Sequence, residues 1–478
     1  MALPFSDPFS KRVSPSCLTG ECKMSTICAI STPLAAGGIS VIRISGEDAF
    51  GVAAKVFEPQ TCKSVGEMQG YTCAYGRIVD GQGKTVDDGV LTVFRAPRSY
   101  TGEDVCEISC HGGIYVTKKV LRLCLAAGAR LADRGEFTKR AFLGGKLSLT
   151  QAEAVMDTIS AQGEFALASA NSARQGRLFK QIKALSDRLV EILGELAAWV
   201  DYPEEDLPEV ESTALCKSLK DAIFTLKKII DNYDRGLVFK SGIDTCIAGK
   251  PNVGKSALMN MLLGFDRSIV TDIAGTTRDV IVESVQLGNI TLKLSDTAGI
   301  HDTNDTVEQM GVELAKDRLE SAMLILAVFD SSQALDEQDR SLLAHISKLG
   351  KKTLIILNKT DLETAADKAE LQAFGQVIEI SAKNGEGLDE IQAAVEQLFK
   401  AGEFDADSDI FANERQKQCA ETAHSHLQSA LESLETGQTL DAVTVMIDYA
   451  AQSLMELTGE RATEAVVNNV FSKFCVGK

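Results

Sequence analysis

The chain has 478 residues, of which 45% are apolar, and a formal net charge of −18. This length supplies about three domains of ordinary size. The acidic balance argues against a broad nucleic-acid-binding surface, because phosphate contacts need clustered Lys and Arg. Any RNA contact must therefore be local or assisted by a partner.

Cysteine usage and hydropathy indicate the compartment. Twelve cysteines without a C-x-x-C pair are typical of reduced cytosolic thiols rather than of a disulfide or zinc framework. No apolar run approaches the ~20 residues of a membrane span. We therefore expect a cytoplasmic protein that does not enter a membrane.

Residues 1–23 contain Ser, Pro, Lys and Arg with little periodicity, which predicts a disordered extension. Met24 is an alternative start. If residues 1–23 are instead a transit peptide, the protein is organellar. In residues 24–146, strand-like runs surround a helical run at 114–127, and this mixture predicts an N-terminal α+β domain.

Positive charge is concentrated in the second half of that domain. One interpretation is a solvated helix face, which is the commoner meaning of such a run, and the other is a local tRNA contact. The cluster comprises Lys118, Lys119, Arg122, Arg130, Arg134, Lys139, Arg140 and Lys146.

Two helical stretches flank the centre of the chain. Apolar residues recur at helical spacing in residues 147–236, where Gly236 is predicted to end a helix that starts at Ser212, and again in residues 401–478. Each stretch presents an apolar face that must be covered. We therefore predict one discontinuous α-helical bundle domain, with residues 237–400 inserted into it.

The inserted segment carries a phosphate-binding motif. Gly249-Lys-Pro-Asn-Val-Gly-Lys-Ser256 lies between a strand-like run and a helical run, which is the context in which G-x-x-x-x-G-K-S cradles phosphates. Lys255 is predicted to reach the β and γ phosphates and Ser256 to bind Mg²⁺. The predicted GTP contacts from this motif are Asn252, Val253, Gly254, Lys255, Ser256 and Ala257.

Three later motifs specify guanine. The carboxylate of Asp361, in Asn358-Lys359-Thr-Asp361, matches the paired N–H donors of guanine and not the edge of adenine. Ser381, Ala382 and Lys383 form the expected partner loop around the base. Asp296, Thr297, Ala298 and Gly299 end a strand and face Mg²⁺ and the γ-phosphate. Together these motifs predict an α/β P-loop (Ras-like) GTPase domain.

Hydrolysis requires a group other than the usual glutamine, because Ile300 follows Gly299. Thr277 is the natural second hydroxyl for Mg²⁺. The side chain of Asn252, with carbonyls from the loop at 271–276, could hold a monovalent cation near the phosphates. The alternative for Asn252 is a hydrogen bond that stabilises its own loop. The predicted GTP contacts from the second loop are Thr271, Asp272, Ile273, Ala274, Gly275, Thr276 and Thr277.

These motifs, in this order, resemble the MnmE (TrmE) family of tRNA modification GTPases. The resemblance covers nearly everything after Met24. Beyond the nucleotide motifs, it rests on Arg43-Ile-Ser-Gly46, Thr101-Gly-Glu-Asp-Val105 with Glu107, His111-Gly-Gly113, Arg134-Gly-Glu-Phe137, Arg140-Ala-Phe-Leu143, Gln151-Ala-Glu-Ala154 and the C-terminal Cys475-Val-Gly-Lys478.

The resemblance implies a potassium-stimulated GTP hydrolase that forms a homodimer. With a flavin-dependent partner of the MnmG/GidA family, in a heterotetramer, it adds a carboxymethylaminomethyl or aminomethyl group to C5 of the wobble uridine of certain tRNAs. The one-carbon unit comes from a tetrahydrofolate derivative, 5-formyl or 5,10-methylene. FAD and NADH are bound by the partner.

The resemblance also implies residue roles. It assigns K⁺ to Asn252, Thr271, Ile273 and Thr276, and Mg²⁺ to Ser256 and Thr277. It assigns indirect positioning of the attacking water to Glu308, folate contacts to Arg43, Glu107, Lys146 and Lys478, and a functional thiol, as nucleophile or acid, to Cys475.

Two other functions stay open at this stage. One is a switch-type GTPase that binds RNA or assists ribosome assembly. The acidic balance and the Cys475 tail count against it. The other is a folate-dependent aminomethyltransferase that does not act on tRNA.

Overall fold

A computed structural model describes residues 25–60, 64–161, 163–201, 212–265, 282–288, 290–295, 318–399, 411 and 413–478. The chain divides into two compact units. The first contains the described residues of Met1–Met156, Ala173–Lys227 and Phe411–Lys478, and the second those of Asp157–Ser172 and Lys228–Ile410.

The first unit begins with a seven-stranded sheet in the order β3-β4-β5-β6-β2-β1-β7. Its neighbouring strands are antiparallel except β1 and β7, which are parallel. The strands are β1 (Ile27–Ile30), β2 (Ile39–Ser45), β3 (Phe57–Pro59), β4 (Thr72–Val79), β5 (Thr85–Phe94), β6 (Val105–His111) and β7 (Arg130–Leu131).

Two helices, α1 (Ala49–Val56) and α2 (Ile114–Ala126), pack against this sheet. Alternation along β2 sends Ile42 and Ile44 into the core and leaves Arg43 half-buried on the opposite face. Helix α2 buries Thr117, Val120 and Cys124, which share one face. The predicted α+β domain is confirmed.

A buried charge network stabilises the end of this domain. Arg140 lies on α3 (Glu136–Leu143) with its side chain only 2% exposed. Its guanidinium donates to Glu136 at 2.8 Å, to Glu103 at 3.0 Å and to the backbone carbonyl of Ser25 at 2.8 Å. Burial alone would raise the pKa of Glu136, but hydrogen bonds from Arg130, the backbone of Asp133 and Arg140 hold it below its usual value.

This network predicts a pH-dependent stability. The lowered pKa of Glu136 contributes stability above the unfolded value of 4.5 that is lost as pH falls through the lower folded-state pKa. Glu136→Gln should therefore cost about 2 kcal/mol in the free energy of unfolding at neutral pH, and the difference should shrink below about pH 4.5. Urea unfolding followed by circular dichroism at pH 3.5–7 measures both.

Asp133→Asn is the matched control, because the Asp133 carboxylate is 88% exposed and lies 3.9 Å from Arg130. It should change the free energy of unfolding little at any pH. A Glu136→Gln effect that stays constant from pH 7 to pH 3.5 would contradict the ionic role of Glu136.

The helical stretch after α3 contains α4 (Leu149–Ser160), α5 (Glu164–Arg174), α6 (Arg177–Asp201) and α7 (Ser212–Ser241). The prediction that Gly236 ends a helix was wrong, because α7 continues to Ser241 and the left-handed residue that follows is Gly242, with φ 79°. A single glycine inside a helix costs only about 1 kcal/mol relative to alanine, which neighbouring turns can absorb.

The second unit contains a six-stranded sheet in the order β13-β12-β11-β8-β10-β9, parallel except for the β9–β10 hairpin. Its strands are β8 (Ile243–Ala248), β9 (Val282–Leu287), β10 (Ile290–Ser295), β11 (Leu324–Asp330), β12 (Lys352–Asn358) and β13 (Gln376–Glu379). Its helices are α8 (Lys255–Phe265), α9 (Glu337–Leu349), α10 (Lys368–Gln372) and α11 (Leu388–Leu398).

Every residue of β11 is buried, as expected for a parallel strand covered on both faces. This is the predicted α/β P-loop domain. Phe165 of α5 also packs against the apolar core of this unit, so residues 157–172, which the sequence assigned to the helical domain, belong to the second unit.

The chain then returns to the first unit through α12 (Glu414–Glu435), α13 (Leu440–Thr458) and α14 (Glu464–Ser472). Helix α13 packs against both α12 and α6. Arg415 pairs with Glu153 at 2.8 Å, although the two residues are 262 positions apart in the chain. The helical bundle is therefore discontinuous, and the P-loop domain is an insertion.

Candidate functional site

The phosphate motif forms the loop between β8 and α8, and two of its glycines are required by close contacts. A Cβ on Gly249 (φ 153°) would lie 2.4 Å from the carbonyl oxygen of Val328. One on Gly254 (φ 100°) would lie 2.1 Å from Nδ2 of Asn358. Only glycine fits at either position, so these glycines allow the tight backbone turn that the phosphate motif requires.

Asn252 lies at the turn of this loop with φ 66°, a left-handed conformation that Asn tolerates better than most residues. Within the described residues its side chain makes no hydrogen bond, which leaves the amide available to a ligand. Ser256 is the second residue of α8, whose N-terminal amides and dipole favour an anion.

Lys255 is folded back over the same loop. Its ammonium donates to the carbonyl oxygens of Gly249 at 2.8 Å and Lys250 at 2.7 Å. A positive charge is thereby held at the loop where the sequence predicts phosphate binding, and no large rearrangement is needed to bring it there.

Asn358 connects the phosphate loop to the base loop. Its side chain is 2% exposed; Nδ2 donates to the carbonyl of Val253 at 2.9 Å, and Oδ1 accepts from the backbone N–H of Ala382 at 3.0 Å. The Ser381 hydroxyl donates to Oδ1 of Asp361 at 2.8 Å. Three motifs separated in sequence are thus joined in one site.

Lys359 has φ 67°, and its ammonium contacts Asp330 at 2.5 Å. Burial alone would raise the pKa of Asp330, but hydrogen bonds from Lys359 and Ser332 lower it. The lysine stem is therefore fixed at the carboxyl end of β11, beside the base-recognition motif.

One contact of the phosphate loop could not be predicted from the sequence. Lys250 lies 2.7 Å from the carboxylates of both Asp336 and Asp339, at the N-terminus of α9. The hydrogen bond from Lys250 lowers the pKa of Asp336 to about 2. Lys250 and Asp336 are 86 positions apart, and no local pattern predicts their contact.

A second cluster lies on the first sheet. Arg43 and Glu107 are directly paired across β2 and β6, with Nε 2.7 Å from Oε1. The guanidinium carbon of Arg43 lies 5.5 Å and 5.7 Å from the ring centroids of Tyr100 and Phe137, within cation–π range. Nη1 of Arg43 also donates to the carbonyl of Gly477 at 3.3 Å.

The C-terminal tail is docked beside this pair by its backbone. Val476 forms an antiparallel bridge with Arg134, and the N–H of Gly135 donates to the carbonyl of Cys475 at 3.4 Å. Gly477 (φ 99°) has no room for a Cβ, which would lie 2.3 Å from the carbonyl oxygen of Ile30. The Cys475 side chain stays exposed.

Two lysines complete the region. Burial first, then the positive charges of Arg43 and Arg174, lower the pKa of Lys478. The Lys146 ammonium donates to the carbonyls of Pro97 (3.1 Å) and Ser99, and so anchors the loop that carries Tyr100. The structure therefore brings Arg43, Glu107 and the Lys478 tail together and connects Lys146 to them through that loop.

Comparison with known proteins decides the family. Models for the GTP-binding protein TrmE N-terminus and the MnmE helical domain match residues 26–146 and 149–475. The tRNA modification GTPases MnmE of Carboxydothermus hydrogenoformans and Thermoanaerobacter pseudethanolicus are 42% and 41% identical to the chain, covering 95% of it and 99% of each relative. The chain belongs to the MnmE family.

A solved structure of an Aquifex aeolicus Era variant bound to GDP·AlF4⁻ is similar to part of this MnmE family member. The match covers 38% of this chain and 66% of that one, at 28% identity and a TM-score of 0.28. No helix in the described ranges has the length and hydropathy needed to cross a membrane.

Several predicted site residues of this MnmE family member lie outside the described residues, and their roles stay predictions. They are Thr271, Asp272, Ile273, Ala274, Gly275, Thr276, Thr277, Asp296, Thr297, Ala298, Gly299 and Glu308.

Proposed function

We propose that this chain is a potassium-stimulated GTP hydrolase that, with a flavin-dependent partner of the MnmG/GidA family, adds a carboxymethylaminomethyl or aminomethyl group to C5 of the wobble uridine of certain tRNAs. The observation that carries this proposal is the Asn358-connected nucleotide site in a chain 42% identical to a tRNA modification GTPase MnmE along 95% of its length.

In this proposal GTP is held by the phosphate loop and recognised by Asp361. Mg²⁺ is bound by Ser256 and Thr277. K⁺ is bound by Asn252 with Thr271, Ile273 and Thr276, and supplies positive charge near the phosphates. Among the described residues the side-chain amide of Asn252 has no hydrogen-bond partner, which supports a ligand role over a loop-stabilising one. Glu308 positions the attacking water indirectly.

The one-carbon donor, a 5-formyl or 5,10-methylene tetrahydrofolate, is proposed to bind at the Arg43–Glu107 pair. Arg43 suits a folate carboxylate and Glu107 the pterin donors, while Lys146 and Lys478 add charge. Docking of the tail beside Arg43 supports a role for Cys475 at the same place, because it keeps the thiol exposed a few residues from Lys478.

A homodimer is part of the proposal, as is a heterotetramer with the partner that binds FAD and NADH. The outer face of the first sheet supports the homodimer. Ile39, Tyr75 and Val90 are exposed there, on the face that carries Arg43 and Glu107. Free thiols at all nine cysteines of the described residues support a cytoplasmic location.

The first test is steady-state GTP hydrolysis in KCl and in NaCl at equal ionic strength. We expect KCl to raise kcat at least tenfold and Asn252→Ala to remove that stimulation. Asn384→Ala, the same substitution at an exposed position of the base loop, should keep the potassium response. Equal rates in both salts would contradict the cation site and favour the switch-type GTPase.

A further inference from the structure

The structure separates the eight cations between Lys118 and Lys146 into two groups. Four are engaged within the first unit. Arg130 and Arg140 bind Glu136, Lys139 donates to Oδ1 of Asn468 at 2.7 Å, and Lys146 donates to backbone carbonyls. These four are therefore unsuited to bind a partner, and Arg134 contributes its backbone to the bridge with the tail.

The cations on α2 have a different environment. Tyr115 is 76% exposed, and Lys118 and Arg122 are exposed on the same face, at spacings of three and seven residues. We call these three residues the α2 row, which is about 10 Å long. Helix α2 contains no acidic residue, although the whole chain carries a charge of −18.

The charged residues around the α2 row do not neutralise its positive charge. At the C-terminal end of α2, the exposed Lys55 donates to the carbonyl of Ala127 at 2.9 Å and adds a further cation. Two acids near this helix have other partners: Asp80 accepts from the backbone N–H groups of Gln82 and Lys84, both at 3.0 Å, and Asp87 binds His111 at 2.7 Å. The opposite face of α2 packs on the sheet, so the row points to solvent.

We propose that the α2 row is the tRNA contact of this chain, with Lys118 and Arg122 on backbone phosphates and Tyr115 stacked on an unpaired base. This inference rests on the proposed function. An exposed aromatic beside a row of cations is the combination that binds unpaired nucleotides. The chain as a whole is acidic and repels RNA. A short positive row therefore determines which way the bound RNA is oriented.

The test is fluorescence anisotropy of a labelled tRNA transcript with the full chain at several KCl concentrations. Lys118→Glu/Arg122→Glu should weaken binding at least tenfold, and the slope of log K against log salt should lose about 1.4 to 1.8 through two lost phosphate contacts. Tyr115→Ala should weaken binding about tenfold without changing the slope. GTP hydrolysis should match wild type in both variants.

Lys180→Glu/Lys217→Glu is the matched control, because it makes the same change in charge at exposed positions of α6 and α7. If both pairs of substitutions weakened tRNA binding equally, the effect would come from net charge alone and the proposal would be overturned. If the glutamate pair lowers the thermal midpoint, Lys118→Gln/Arg122→Gln replaces it.

Unchanged tRNA affinity in the α2 variants, or no tRNA binding by the wild-type chain, would also overturn the α2 row while leaving the proposed modification intact. Binding to vesicles of anionic phospholipid that depends on the row, with tRNA binding unaffected, would assign the row to a membrane surface instead. Conversely, intact tRNA binding in a chain that does not support wobble modification would refute the proposed function and not the row.

Discussion

Asn358→Ala is expected to weaken GTP binding by at least a hundredfold. The substitution removes two buried hydrogen bonds and leaves the carbonyl of Val253 and the N–H of Ala382 without their partner. Each such loss costs about 1–3 kcal/mol, and a few kcal/mol corresponds to two or more orders of magnitude in affinity. Titration with a fluorescent GTP analogue measures the effect.

Asn358→Asp tests whether the hydrogen bonds of Asn358 matter rather than the volume of its side chain. The aspartate keeps an acceptor for the N–H of Ala382, but it places a carboxylate oxygen against the carbonyl of Val253, so it should bind GTP no better than the alanine variant. Affinity within threefold of wild type in either variant would show that the phosphate and base loops are positioned independently of Asn358.

Gly477→Ala is expected to abolish wobble-uridine modification while GTP binding is retained. The added Cβ would lie 2.3 Å from the carbonyl oxygen of Ile30, at a φ of 99° that alanine disfavours. The tail should therefore leave its position, and Arg43 should lose its contact with the carbonyl of Gly477. Mass spectrometry of tRNA from a complemented deletion strain measures the modification.

Hydrogen exchange at the amide of Gly135, which donates to Cys475, reports tail docking directly and should accelerate in Gly477→Ala. Val476→Ala is the control, because Val476 is exposed and contributes only backbone to its bridge with Arg134. Normal modification combined with fast exchange at Gly135 would mean that the chemistry does not need the docked tail.

The sequence predicted the nucleotide site well because its information is local. Strand, glycine turn and helix follow one another around Gly249 and Gly254, so the spacing of a few residues encodes the backbone shape. It did not predict the contact of Lys250 with Asp336 and Asp339, since that contact depends on how α9 packs beside the phosphate loop.

The Arg43–Glu107 pair shows the same limit at the other site. Both residues are ordinary within their strands, and only the antiparallel register of β2 and β6 places them opposite each other. Gly236 failed as a helix end for a related reason, because a local stop signal competes with packing along a 30-residue helix.

The pairing of Arg415 with Glu153 and the contact of Arg43 with the carbonyl of Gly477 have a consequence for synthesis of the chain. The ribosome synthesises the P-loop domain before α12–α14. The P-loop domain can therefore fold while the first half of the helical bundle still lacks the helices that pack against it. The cluster around Arg43 is complete only when Gly477 and Lys478 have been added. A nascent chain released a few residues early would keep its nucleotide site but would lack the complete cluster around Arg43.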